Sequence, residues 1–292
     1  MNKELWYLLI EGQKDANTGI IGNFFVYGEH LGDSLKKVIN ASSSHHFSNH
    51  HLIQASFLEH FDLIENNHEL LKIADDVYTR TNTSTFIYEN DHDNPFIPPI
   101  GIVEGVSDNE LDYDLIKESF VAYGQNENGF FEFELVVGKP NLVDTFLEAI
   151  KFLPSVDGFW IYISSYWENK LTELWVAKHF VDKQTVIDFL KTQQINTLEN
   201  GFLNIVVHSQ SGETNLILDD HKKIQLFTKD ETVFSEFIGN IVDLGYEQTK
   251  DFYSLEFGYF HFHYRQAGSL ARNEFKAMLR ENQFELIDEW EE

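Results

Sequence analysis

From residue 129 onward the chain alternates between two hydrophobic periods, and that alternation restricts its fold more than any other feature. GFFEFELVVG (129–138) has the period-two pattern of a strand. NLVDTFLEAIKFL (141–153) repeats its apolar residues at threes and fours and follows Pro140, whose missing N–H is harmless at a helix start. GFWIYISSYW (158–167) and ELWVAKHFV (173–181) read as a hairpin turning through 168–172. Asp182 is placed to cap a helix over KQTVIDFLKTQ (183–193), and FLNIVVHS (202–209) is again a strand. The order β-α-β-β-α-β is that of a ferredoxin-like or split β-α-β unit. Beyond it, TNLILD and KIQLFT form two short strands around Asp219-Asp220. Asp230 caps a helix over 232–245 that Gly245 stops. FYSLEFGYFHFHYR (252–265) reads as a long strand and SLARNEFKAMLRENQFELI (269–287) as a closing helix.

The first part of the chain gives a similar inventory. WYLLIEG (6–12) and IGNFFVYGEH (21–30) are strands joined by a turn at 15–19, and Asp33 is placed to cap a short helix over 34–41. Leu52, Phe57, Phe61, Ile64, Leu70 and Leu71 recur at helical spacing, which predicts a helix over 52–76. VYTR and STFIYE are short strands. Residues 89–114 hold three of the five prolines, show no periodicity, and read as an acidic linker. The expected fold is therefore α+β. Mixed or antiparallel sheets carry amphipathic helices on one face, in an N-terminal sub-domain of residues 1–115 and a C-terminal domain of residues 116–292. Phe and Tyr favour strands, and the 26 Phe and 12 Tyr residues call for a bulky aromatic core.

Charge narrows the classes of function. There are 48 acidic residues against 21 Lys and Arg, a formal net of -27. Residues 81–135 carry twelve acids and one lysine, Lys117. Direct nucleic-acid binding depends on cations that replace phosphate counterions, so it is disfavoured, as is an anionic membrane surface. A basic partner would be steered in. The absence of cysteine excludes disulfides, thiolate metal sites and a cysteine nucleophile, and suits a reducing compartment. The N-terminal apolar run, Leu5 to Ile10, is short for a secretory signal, and no stretch reaches membrane-span length, so a cytoplasmic location is expected.

Two histidine groups invite a metal reading. SSSHHFSNHH (42–51) holds His45, His46, His50 and His51; on a helix His46 and His50 would be neighbours, but the serines and asparagine around them have the composition of a solvated helix start. In FHFHYR, strand geometry puts His261, His263 and Arg265 on one face. Two imidazoles so placed can bind a metal, whereas the Arg265 cation opposes it. Asp91-His92-Asp93 sits in turn composition. Phosphate-loop, dinucleotide, nucleophile-elbow and H-E-x-x-H motifs are all missing, and adjacent acids such as Asp75-Asp76 point apart. The expectation is an acidic, non-catalytic binding protein with no cofactor that neutralises a basic protein. Its most concrete form is an immunity protein inhibiting a nuclease-type bacterial toxin. The expected contact residues are Asp108, Glu110, Asp112, Tyr113, Asp114 and Glu118. The alternative is a hydrolytic or metal-dependent enzyme built on His261 and His263.

Overall fold

The computed structural model describes residues 3–14, 18–45, 47–58, 70–80, 84–87, 96–104, 115–168, 170–177, 179–256, 261–266 and 268–291. The architecture is α+β with antiparallel sheets. The chain divides into two compact units: residues 1–91 with 104–110 and 266–268, and residues 92–103 with 111–265 and 269–292.

In the first unit, β1 (Glu4–Gln13) and β2 (Thr18–Gly28) form a long hairpin in register from Glu4↔Gly28 to Gln13↔Gly19. Helix α1 (Leu31–Ser43) follows. Its N-cap is His30 rather than Asp33: His30 Nδ1 accepts from the Asp33 amide at 3.2 Å. Asp33 reaches back to the Glu29 amide at 3.1 Å, a reciprocal arrangement that satisfies two amides at the helix start. Strand β3 (Ser48–Leu58) then pairs with the free side of β1. This overturns the helix expected from residue 52. The spacing that suggested an inward helical face is not an inward face, since Phe57 is 50% exposed while Ile53 is buried. β4 (Leu70–Ala74), β5 (Val77–Arg80) and β6 (Ser84–Ile87) complete the sheet, in the order β3-β1-β2-β5-β4 with β6 also on β2. Leu8, Ile10, Phe24, Val26, Val38, Phe47 and Val77 form its core.

In the second unit, part of the expected linker is packed. Phe96 and Ile102, the latter opening the short strand β7 (Ile102–Glu104), are buried with Ile116, Val136 and Leu255. The elements then run β8 (Ser119–Tyr123), β9 (Phe131–Val136), α2 (Leu142–Phe152), β10 (Gly158–Ile163), β11 (Thr172–Ala177), α3 (Lys183–Thr192) and β12 (Leu203–Ser209). After them come β13 (Thr214–Leu218), β14 (Ile224–Thr228), α4 (Glu231–Asp243), β15 (His261–His263), α5 (Arg272–Glu281) and β16 (Glu285–Trp290). The sheet order is β16-β11-β10-β12-β13-β14-β9-β8, with antiparallel ladders throughout. The β-α-β-β-α-β element order of 131–209 is thus realised in an antiparallel sheet in which β13 and β14 stand between β12 and β9.

One face of this sheet carries the core. Phe159, Ile161 and Ile163 of β10 and Leu203, Ile205 and Val207 of β12 meet Phe146 and Ile150 of α2, Ile187 and Leu190 of α3, Phe237 of α4 and Phe275 of α5. Phe159 touches the rings of Phe180, Phe189 and Phe284 at 5.3–5.7 Å, each edge-on. Such pairs add about 0.5–1.5 kcal/mol to the burial of the rings themselves. The caps at Asp182 and Asp230 form as expected, on the amides of Thr185 and of Thr232 and Val233.

Two expected elements differ. The closing helix ends at Glu281, because Gln283 takes the left-handed conformation at φ 59° and residues 285–290 become the edge strand β16. Of the long strand over 252–265, the described residues show strand only at His261–His263. Phe252–Glu256 lies outside the large sheet, contributing Leu255 to the small cluster around Phe96 and Ile102. The register brings the end of β10, the start of β12 and the β13–β14 turn to one end of the sheet: Ile163 pairs with Leu203, and Ile205 with Leu218.

Candidate metal centre

That sheet end gathers the histidines. The turn between β13 and β14 carries Asp219, Asp220 and His221, and Lys222 takes φ 63° to close it. Strand β15 brings His261 and His263 onto it. Its placement depends on a close backbone approach: Tyr264 donates its amide to Gly101 O at 2.8 Å and accepts from the Gly201 amide at 2.9 Å. A Cβ on Gly201 would lie 1.9 Å from Gly101 O, so glycine is required there. The same Gly201 offers its carbonyl to His263 Nδ1 at 2.6 Å.

The three rings form a nearly equilateral triangle. Ring centroids are 4.9 Å apart for His221 and His261, 5.1 Å for His221 and His263, and 5.0 Å for His261 and His263. One nitrogen from each lies within 4.8 Å of the other two. The Nε2 atoms of His261 and His263 are 3.2 Å apart. A tetrahedral zinc with Zn–N bonds of about 2.0–2.1 Å separates its ligand nitrogens by about 3.3 Å, and the ring centroids, about 1.1 Å further out, by about 5.2 Å.

Outer partners set the tautomers. A carbonyl can only accept, so His263 carries its proton on Nδ1 and turns the Nε2 lone pair to the centre. His221 Nδ1 lies 3.0 Å from Asp220 Oδ1, which leaves its Nε2 as the inward nitrogen. Asp220 Oδ2 accepts from Ser164 Oγ at 3.0 Å and from the Tyr166 hydroxyl. Burial pushes the His263 imidazole down to about 4, which keeps it neutral at ordinary pH. Burial works against a charge on both Asp220 and His221. Their mutual hydrogen bond and charge outweigh it, lowering the carboxyl and raising the imidazole. Burial lifts neighbouring Asp219 to about 6. Lys223 is buried between Glu134, at 3.3 Å, and Glu256, whose charge also acts on His221. Arg265, expected to repel a metal, donates to the Ser269 carbonyl at 3.0 Å and keeps its charge.

The other sequence candidates fare differently. Asp108, Glu110, Asp112, Tyr113 and Asp114 lie outside the described residues, as do Asp91-His92-Asp93 and His46. Glu118 accepts from the Gly138 amide at 2.7 Å and from Asn141, fastening the connection between β9 and α2. The His45–His51 stretch follows a helix and opens a strand instead of starting a helix, so His50 and His51 face opposite ways. His50 stacks near Phe47 and bonds Ser42 Oγ at 2.7 Å. His221, Asp220 and Tyr166 were not anticipated as site residues. The one sequence signal for them is Asp-Asp-His at a hairpin turn. Comparison with known protein families, curated proteins and solved structures found no match to this chain.

Proposed function

We propose that this chain is a metal-dependent protein of hydrolytic type, holding one zinc-class divalent ion on His221, His261 and His263. The observation that carries the reading is the triangle of imidazoles: the 3.2 Å between the His261 and His263 nitrogens and the three 4.9–5.1 Å centroid separations match the dimensions of a tetrahedral site, with the His221 nitrogen within 4.8 Å of both. The donor chemistry supports it, since imidazole donors suit zinc, copper, iron and nickel over magnesium or calcium. Outer partners supply further support: Asp220 and the Gly201 carbonyl aim two of the three rings. Three protein ligands are the set of a catalytic site, where the ion polarises a bound substrate and lowers the pKa of water to about 7. The three histidines are half-buried.

The test is zinc binding by the untagged full chain, followed with a chromophoric competitor. The reading expects one equivalent bound, with His221→Ala, His261→Ala and His263→Ala each losing at least about a hundredfold in affinity. Binding that survives all three substitutions, or none in the wild type, would reduce the His261–His263 contact to a shared hydrogen bond.

A further inference from the structure

Arg272 opens α5 and is 2% exposed. Its guanidinium has no metal ligand among its partners. Nη1 donates to the Ser164 carbonyl at 3.0 Å and to the Trp167 carbonyl at 2.5 Å. Nη2 donates to the Leu171 carbonyl at 2.5 Å and to Glu173 Oε1 at 3.0 Å. Glu173 is buried as well and accepts from Lys276 at 2.8 Å and from Trp175 at 3.0 Å. A buried cation is tolerated only when its donors are satisfied, and here three of the acceptors belong to one loop, residues 164–171.

That loop carries Ser164 and Tyr166, whose hydroxyls converge on Asp220 Oδ2. Asp220 Oδ1 in turn holds His221 Nδ1. The Tyr166 ring also lies 4.9 Å from the His263 ring. We infer that Arg272 is a positioning residue for the metal centre, acting through the 164–171 loop, the Ser164 and Tyr166 hydroxyls and Asp220 to aim His221. The inference rests on the metal reading for its consequence and on the hydrogen-bonded chain for its mechanism. A planar guanidinium is required because it reaches four acceptors in fixed directions; a lysine ammonium in its place keeps the charge and loses the fork. Partners behind a metal ligand typically set about 10–100-fold in metal affinity.

The experiment measures zinc affinity for the full chain and for Arg272→Lys, Tyr166→Phe, Ser164→Ala and Asp220→Asn. It also records, in metal-free protein, the downfield proton resonance of the His221 Nδ1–H. The expected result is a loss of about tenfold for Arg272→Lys and for Tyr166→Phe, and of about 10–100-fold for Asp220→Asn. Because the chain runs through one carboxylate, Tyr166→Phe should add nothing in the Asp220→Asn background. The His221 proton resonance should vanish in Asp220→Asn and broaden or shift in Arg272→Lys and Tyr166→Phe. Independent, multiplying losses from Tyr166→Phe and Asp220→Asn would overturn the inference, as would Arg272→Lys with wild-type affinity and an unmoved resonance. If wild-type protein binds no zinc, the metal reading fails by itself and the resonance alone decides the positioning chain. If Arg272→Lys does not fold, Tyr166→Phe and Ser164→Ala test the same chain from its other end.

Discussion

Replacing Gly201 by alanine should damage both the stability of the second unit and the metal centre. The new Cβ would sit 1.9 Å from Gly101 O, where ordinary contact begins at 3.4 Å, a shortfall of 1.5 Å against backbone that cannot rotate away. Relief requires the backbones of 101 and 201 to part by that amount. The Tyr264–Gly101 and Gly201–Tyr264 bonds, at 2.8 and 2.9 Å, share that displacement, and each would lengthen to about 3.6 Å, past the range of an amide hydrogen bond. Two such bonds are worth about 1–3 kcal/mol together. Residual overpacking adds about 1–3 kcal/mol, so the expected loss is about 4 kcal/mol. In a unit of this size that lowers Tm by roughly 10 °C. Because Gly201 O also holds His263 Nδ1, zinc affinity should fall in the same variant. The assay is thermal unfolding by circular dichroism paired with a zinc titration. A Gly201→Ala protein melting within about 2 °C of wild type, with unchanged affinity, would refute the close-approach argument.

Further expectations are smaller. Burial alone would raise the Glu173 carboxyl, but hydrogen bonds from Lys276, Arg272 and Trp175 outweigh it and hold the folded pKa below its ordinary value. Its stabilisation is therefore complete above the unfolded pKa of about 4.3 and fades as pH falls through the lower folded value. Urea midpoints measured across that window should fall less steeply for Glu173→Gln than for wild type, and parallel curves would contradict the assignment. Asp230→Ala removes the acceptor for two amides at the start of α4 and should lower stability by about 1 kcal/mol in the same assay. The basic partner expected from the charge, such as a nuclease-type toxin, would form a complex at low salt that weakens with added salt and with charge reversal at Asp108, Glu110, Asp112 and Asp114. Failure of a basic nuclease-type protein to co-elute with it at low salt would end that expectation.

Local chemistry made much of the second unit readable. Asp182 and Asp230 cap helices where their side chains reach nearby amides, and β10 and α2 keep readable periods because each turns one face to the core. The helix expected over 52–76 gives way to strands at 52–58 and 70–74: Phe57 and Phe61 satisfy helical spacing, yet the decisive fact, the open edge of β1, lies more than forty residues away. Gln283 gave no warning of its left-handed turn, which glycine or asparagine more often supplies. For the centre, His261 and His263 were visible as a strand pair, while His221 lay hidden in turn composition forty residues earlier. Only the register of β10, β12 and β13 brings it beside them.

The most direct measurement of the central claim is X-ray absorption at the zinc edge of the reconstituted full chain. The account predicts three imidazole nitrogens at about 2.0–2.1 Å and one further light ligand in a four-coordinate shell, with one imidazole lost in His221→Ala. An oxygen-rich six-coordinate shell, or an imidazole count unchanged by that substitution, would contradict it.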